Sequence, residues 1–157
     1  MTTIKRLAPV RGIVVQSVTR IHAPPARVWR ALTQETRKWW PKGMTVNPKA
    51  RGVTIESRLG GRFFEDWGGG NGLTWWTVIG LRKGGWLELS GALEAEMGGP
   101  GVTLARILLR ANGKDTDLHL VDNLWGPIPR GEEKNIARGW DALARELKAY
   151  VEKRGKR

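Results

Sequence analysis

Hydrophobic and polar residues alternate along much of the chain, and this two-residue period predicts β-strands. The first predicted strand spans residues 12–21 and places Ile13, Val15 and Ile21 on one face. After residue 52 the pattern changes to short alternating runs separated by glycines. Six further strands are predicted there, at residues 53–58, 62–67, 73–81, 86–93, 102–111 and 116–124. Because the connections are short, neighbouring strands must be antiparallel, and Asn112-Gly113 predicts a type I′ hairpin.

Two other parts of the chain have the spacing of amphipathic helices. Ala23-Pro24-Pro25 ends the first strand, because proline donates no ladder hydrogen bond and favours a first helical turn. Short helices are predicted at residues 26–32 and at about 33–40, the second capped by Thr33 and stopped by Pro41. A long helix is predicted from about Glu132. Its apolar stripe contains Ile136, Trp140, Leu143, Leu147 and either Tyr150 or Val151.

This order of elements predicts one α+β domain over residues 1–157, with a core at about 10–153. The sheet of six or seven antiparallel strands needs a cover on one face, and only the C-terminal helix is long enough to provide it. One helix cannot fill the whole concavity of such a sheet, so we expect a cavity at one end. Gly139 is less favourable than alanine in a helix by about 1 kcal/mol, which predicts a close approach of the backbone there.

Composition limits the classes of protein that fit. The 157 residues include nine tryptophans and no cysteine, so disulfides and thiolate metal sites are absent and a cytoplasmic location is expected. No signal peptide is visible, and no apolar run reaches the ~20 residues of a membrane helix.

The net charge of +12 is concentrated near the N-terminus, where residues 1–62 carry 13 Lys or Arg and 2 Asp or Glu. Such a segment could bind an acidic protein partner, an anionic membrane surface or a nucleic acid, or it could be a solvated face. The aromatic residues do not alternate with the basic ones on one face, which argues against nucleic acid. The sequence does not distinguish a monomer from a homodimer.

Three segments, in the order of the predicted elements, carry a resemblance to a known family. They are Ile21-His22-Ala23-Pro24-Pro25 with Val28-Trp29-Arg30-Ala31-Leu32-Thr33, then Gly60-Gly61-Arg62-Phe63-Phe64-Glu65-Asp66-Trp67, and Gly139-Trp140 with Leu143 and Leu147. They resemble the START-like (SRPBCC) superfamily, most closely the branch named after activators of the heat-shock protein 90 ATPase. The resemblance implies a helix-grip fold. It leaves the function open, because the superfamily includes lipid carriers, polyketide cyclases and aromatases, hormone-binding proteins and co-chaperone domains.

Strand parity predicts which polar residues face the helix. Asp122 shares the face of Leu118, Leu120 and Leu124, whereas His119 points outward and is expected to be a surface residue. Asp122 is therefore either a carboxylate exposed to the cavity or one that accepts a backbone hydrogen bond near the end of its strand.

Glu65 shares its face with Phe63 and Trp67, and a second set with one face contains Trp75, Thr77, Ile79 and Leu81. In an apolar cavity Glu65 would have a raised pKa and could act as a general acid or base. Alternatively it pairs with Arg62 or Arg58 at the rim of the sheet.

Other chemistry finds little support in the sequence. Two isolated histidines, His22 and His119, make a metal site improbable, and the serines lack an adjacent histidine or a Gly-x-Ser-x-Gly motif. No cofactor is predicted, and the only catalytic candidates are Glu65 and Asp122. The residues expected to line a ligand site are Trp39, Trp40, Phe63, Glu65, Trp67, Trp75, Thr77, Leu89, Asp122, Trp140 and Leu143.

Three functions are consistent with these features. The first is the binding of a small hydrophobic ligand, aromatic or lipid-like, in the cavity. The second is an enzyme of the polyketide cyclase or aromatase type, in which a carboxylate moves protons. The third is a co-chaperone-like module that binds an acidic protein through the basic N-terminal segment.

Overall fold

Seven antiparallel strands form one sheet in the computed structural model, which describes residues 1–93 and 99–154. The strands are β1 Arg11–Ile21, β2 Gly52–Ile55, β3 Arg62–Gly68, β4 Asn71–Arg82, β5 Trp86–Leu93, β6 Gly101–Asn112 and β7 Asp115–Gly126. The helices are α1 Pro25–Gln34, α2 Thr36–Trp39 and α3 Glu132–Arg154. The sheet order is β1-β7-β6-β5-β4-β3-β2, so the two strands at the edges are β1 and β2. The α+β fold class predicted from the sequence is confirmed.

Several boundaries differ from those predicted. β2 ends at Ile55. Thr33 lies inside α1, where its hydroxyl donates to the Trp29 carbonyl at 2.8 Å instead of capping a second helix. In the β6–β7 hairpin Asn112 pairs with Asp115. Within that hairpin only Gly113 has a positive φ, of +61°, which fits a type II′ turn and not the type I′ turn that we expected.

The inner face of the sheet packs against α3, whose stripe buries Leu143, Leu147 and Val151. Pro25 starts α1 at a position where its missing N–H is not needed, and α1 buries Val28 and Leu32 in the same core. The large side chains of the core come mostly from every second residue of the strands, as the alternating pattern requires.

A β-bulge in β4 determines where the aromatic side chains lie. Phe63 pairs with Trp76 and Phe64 with Thr74, so Trp75 is an extra residue without a partner across the strand. Trp75 and Trp76 are consequently both buried, at 7% exposure each, although they are adjacent in the sequence.

The bulge also corrects the predicted parity of the strand. Val78, not Thr77, follows Trp76 on the buried face, and Ile79 is 54% exposed. A second shift in register after Val78 returns Leu81 to the core. Thr77 and Leu81 therefore do not lie on one face of the strand, although unbroken alternation predicted that they would.

Gly91 of β5 lies opposite Trp76 and allows the two tryptophans to enter the core. A Cβ atom at this position would lie 2.0 Å from the Trp75 carbonyl oxygen and 2.7 Å from Cδ1 of Trp76. Neither backbone nor indole can yield that much space, so the strands must move apart. We expect Gly91→Ala to lower the free energy of unfolding by about 3 kcal/mol in urea titrations.

Gly43→Ala is the matched control, since a Cβ there meets nothing within 4 Å and the residue has no positive φ. Its free energy of unfolding should stay within about 0.5 kcal/mol of the wild-type value. Equal stability of the two variants would show that Gly91 does not determine how the bulge packs.

Candidate ligand-binding site

A cavity of about 460 Å³ lies between α3, the inner face of the sheet and the connection that follows α2. It is open to solvent on one side, and most of its surface is apolar. Its walls are formed by Met44, Thr45, Val46, Trp75, Trp76, Asp122, Glu132, Asn135, Ile136, Gly139, Trp140 and Leu143. The volume is in the range of cavities that hold small organic ligands.

Of the residues predicted to bind a ligand, Trp75, Asp122, Trp140 and Leu143 line this cavity. A second, deeper void of about 30 Å³ is lined by three others, Trp39, Trp40 and Phe63, and again by Trp140 and Leu143. Trp140 and Leu143 therefore border both spaces.

Four of the predicted residues line neither space: Glu65, Trp67, Thr77 and Leu89. Leu89 is fully buried in the core, and the bulge in β4 removes Thr77 from the set. Glu65 and Trp67 contact each other instead, because the Trp67 indole donates to the Glu65 carboxylate at 2.9 Å.

Sequence reasoning missed the wall formed by residues 44–46, because this irregular connection has no periodicity that could place it. It also missed Trp76, which the bulge turns inward. Gly139 did leave a signal, but the expected close approach of the backbone is wrong. A Cβ atom there would meet only Cε of Met44, at 3.9 Å, so the glycine keeps space open in the cavity.

Asp122 is the buried acid of the cavity, with 2% of the residue exposed. The Thr103 hydroxyl donates to Oδ1, and the Trp140 indole donates to Oδ2 at 2.8 Å. Burial raises the pKa of Asp122, and these two hydrogen bonds only partly oppose the shift. The inward orientation predicted by parity is confirmed, whereas the partners are side chains and not the backbone group considered as an alternative.

Glu65 has a different environment, in which it is fully buried but satisfied by backbone groups. It accepts hydrogen bonds from the amides of Val46 at 2.6 Å and Asn47 at 3.2 Å. The predicted pairing with arginine is wrong, since Arg62 and Arg58 lie against Glu56 instead, at 2.6 and 3.6 Å. Glu65 thus attaches the cavity wall at residues 44–46 to β3.

The basic N-terminal half of the chain contains many internal ion pairs. Arg27 lies 2.9 Å from Glu35, and Arg37 lies 2.8 Å from Asp66. His22 contacts Asp115 at 2.9 Å. In residues 1–93 and 99–154, no three His, Asp or Glu side chains are grouped so that they could hold a metal ion. In the same ranges, no helix has the length and apolar character needed to cross a membrane.

An antiparallel sheet closed by one long C-terminal helix, with a cavity between them, is the helix-grip fold of the START-like (SRPBCC) superfamily. The family model described as activator of Hsp90 ATPase homolog 1-like protein matches residues 22–152, and the chain belongs to this family. A search of the curated proteins found no match.

Solved structures with low sequence identity share the fold. Protein CV1439 from Chromobacterium violaceum is 22% identical with a TM-score of 0.65, over 88% of this chain and 96% of that chain. A Rhizobium leguminosarum protein is 16% identical with a TM-score of 0.70, over 92% and 97%. DynU16, from the dynemicin biosynthetic locus, is 19% identical with a TM-score of 0.65 over 88% of this chain, which spans only 47% of DynU16.

The raised pKa of Asp122 predicts a stability effect that depends on pH. Above its folded-state pKa the buried carboxylate is charged and opposes folding, whereas well below the ordinary value of 3.8 both states are protonated and the penalty vanishes. Asparagine can accept from Trp140 and donate to Thr103. Asp122→Asn should therefore raise the melting temperature at about pH 8, and the gain should shrink as the pH falls.

For Asp117, on the outer face of β7, we expect the opposite effect of the charged carboxylate on stability. Hydrogen bonds from Arg20 and Asn112 lower the pKa of Asp117 to about 2. Its charged form stabilises the fold above the ordinary value of 3.8, and this contribution is lost as the pH falls through about 2. Asp117→Asn should lower the melting temperature at neutral pH. The same sign in both variants would contradict the assignment for Asp122.

Glu65→Gln tests the attachment of the cavity wall. Glutamine has one carbonyl oxygen and one NH₂ group where glutamate has two acceptor oxygens. At least one of the buried N–H groups that now donate to Glu65 would therefore face the NH₂ group and lose its acceptor. We expect a loss of about 3 kcal/mol in unfolding free energy and faster hydrogen exchange at the amides of Val46 and Asn47. Glu88→Gln, on the more exposed carboxylate beside Arg106, should leave both exchange rates unchanged. Unchanged exchange in Glu65→Gln would refute the anchoring role.

Proposed function

We propose that this protein binds a small hydrophobic ligand in the cavity between the sheet and α3. The observation that carries the proposal is the cavity of about 460 Å³ with largely apolar walls and a buried carboxylate. Folded domains normally fill such volume with side chains, because each unfilled space forfeits packing energy. A chain that leaves this volume open beside Gly139 is well suited to bind a small molecule.

Apolar burial supplies the affinity in this proposal. Three tryptophans, Trp75, Trp76 and Trp140, offer flat apolar surfaces to a ligand, and each Å² of apolar area removed from water contributes about 25 cal/mol. Asp122 provides a polar contact inside, and Asn135 provides one from α3. A site with a few polar groups among many apolar ones is typical of proteins that fix the orientation of a mostly hydrophobic molecule.

A cyclase-type reaction is a second candidate, and the environment of Asp122 favours it. A carboxyl group with a raised pKa that borders a cavity can hold or accept a proton beside a bound substrate. Glu65 is not suited to this role, since it does not line the cavity and its oxygens accept three N–H groups. If a reaction occurs, Asp122→Asn should stop turnover, whereas Asp117→Asn, on the outer face of the same strand, should not.

A co-chaperone-like role through the basic N-terminal segment has less support. The ion pairs of Arg27, Arg37 and Arg62 with acidic residues of the same chain reduce the positive charge available to an acidic partner.

Filling the cavity from α3 tests the proposed ligand site. A Cβ at Gly139 would meet only Cε of Met44, in ordinary contact at 3.9 Å, so Gly139→Leu can extend into the cavity. Its better helix propensity should preserve or raise stability by about 1 kcal/mol. We expect Nile red, a neutral apolar dye, to gain emission intensity with the wild-type protein. Gly139→Leu should weaken dye binding about tenfold or more.

Ala149→Leu is the matched control, because it adds leucine to an exposed position of the same helix, away from the cavity. It should bind the dye as the wild type does. If Gly139→Leu and Ala149→Leu bind Nile red equally well, or if the wild type does not bind it at all, the cavity is not the ligand site.

A further inference from the structure

The cavity has a charge opposite to that of the whole chain. The protein has a formal net charge of +12, but Asp122 and Glu132 are the only ionisable residues among the described residues that line the cavity. Asp122 is almost fully buried and receives hydrogen bonds only from uncharged donors, Thr103 and Trp140. When Asp122 is ionised, its charge therefore has no cation beside it within the part of the chain that the structure describes.

The polar indole groups of the cavity tryptophans are not available at its surface. Nε1 of Trp75 and Nε1 of Trp76 are buried, and Nε1 of Trp140 donates to Asp122. The three rings are contiguous: the centroids of Trp75 and Trp76 lie 5.6 Å apart, and those of Trp76 and Trp140 lie 5.5 Å apart. The rings consequently offer π surface to a ligand and no hydrogen-bond donor.

We infer that the ligand of this cavity is a hydrophobic molecule that carries a positively charged nitrogen, such as an apolar amine. The inference rests on the proposed function and specifies its ligand class. Aromatic faces beside a carboxylate attract organic cations, because the negative face of each ring and the carboxylate act on the same charge. The apolar part of the molecule fills the remaining cavity.

Each oxygen of Asp122 accepts one hydrogen bond from the protein and keeps acceptor capacity for another donor. An ammonium group can use this capacity and at the same time neutralise a buried charge that folding has removed from water. An anionic ligand would meet Asp122 and Glu132, and among the described residues no Lys, Arg or His lines the cavity. Although Arg138 bonds to Asn135 at its edge, the same site should therefore disfavour carboxylates.

Three probes of one shape separate charge from hydrophobicity: naphthylmethylamine, naphthalenemethanol and naphthoic acid, which are cationic, neutral and anionic at neutral pH. Isothermal titration calorimetry of the wild-type protein should show that the amine binds about tenfold more tightly than the alcohol, with the acid weakest. The ratio of the affinities for amine and alcohol is the quantity to compare between variants.

Asp122→Asn removes the charge but retains groups that can bond to Thr103 and Trp140, so it should reduce this ratio about tenfold. Asp117→Asn removes the same charge from the outer face of the same strand and should leave the ratio unchanged. Glu132→Gln, at the start of α3, should reduce the ratio less than Asp122→Asn, and it serves as a second variant if Asp122→Asn folds poorly.

The outcomes distinguish this inference from the proposed function. If the alcohol or the acid binds the wild type as tightly as the amine, the cavity is a ligand site without preference for cations, and the inference fails alone. An unchanged ratio in both Asp122→Asn and Glu132→Gln also overturns it. If none of the three probes binds the wild type, the proposed function fails together with the inference.

Discussion

The whole architecture depends on one geometric mismatch, which is that a single helix must cover the inner face of seven strands. α3 has 23 residues and packs with Leu143, Leu147 and Val151 against the core. One helix covers a strip about 10 Å wide, whereas neighbouring strands are spaced by about 4.8 Å. The remaining width must be filled by side chains or by the connection that follows α2. The cavity is what remains after both have been used.

The aromatic side chains fill most of this extra width. Phe63 packs between tryptophans, at 5.5 Å from Trp40 and 5.0 Å from Trp76, with the rings tilted or edge to face. The bulge in β4 adds Trp76 to the same cluster beside Trp75, whereas unbroken alternation would have pointed Trp76 away. These large rings pack against one another, with Gly91 opposite Trp76, and form one wall of the cavity. A well-packed wall matters for binding, because a cavity that collapsed when empty would have to be reopened by its ligand.

Two buried carboxylates in this region show two different solutions to the same energetic problem. Glu65 is stabilised by three N–H donors and so serves the structure, holding residues 46 and 47 against β3. Asp122 has two donors from uncharged side chains and borders the cavity. The difference lies in what surrounds each group: the connection after α2 closes over Glu65, whereas Gly139 and Asn135 leave space beside Asp122. Of the two carboxylates, Asp122 is therefore the one that a ligand in the cavity can contact.

Periodicity was sufficient for the order of the elements, the antiparallel sheet and the inward position of Asp122, because each follows from residues close in sequence. It failed at Thr77 and Trp76, since one extra residue in a strand reverses the parity of everything after it and leaves no trace in the hydrophobic pattern. It also failed for Glu65, whose partners are backbone amides about 18 residues away in an irregular segment. The cavity was deduced from the length of a helix, but its acidic character required the contacts themselves. A net charge of +12 does not reveal that the ionisable residues described at the cavity wall, Asp122 and Glu132, are both acidic, and the inferred preference for cations rests on that contrast.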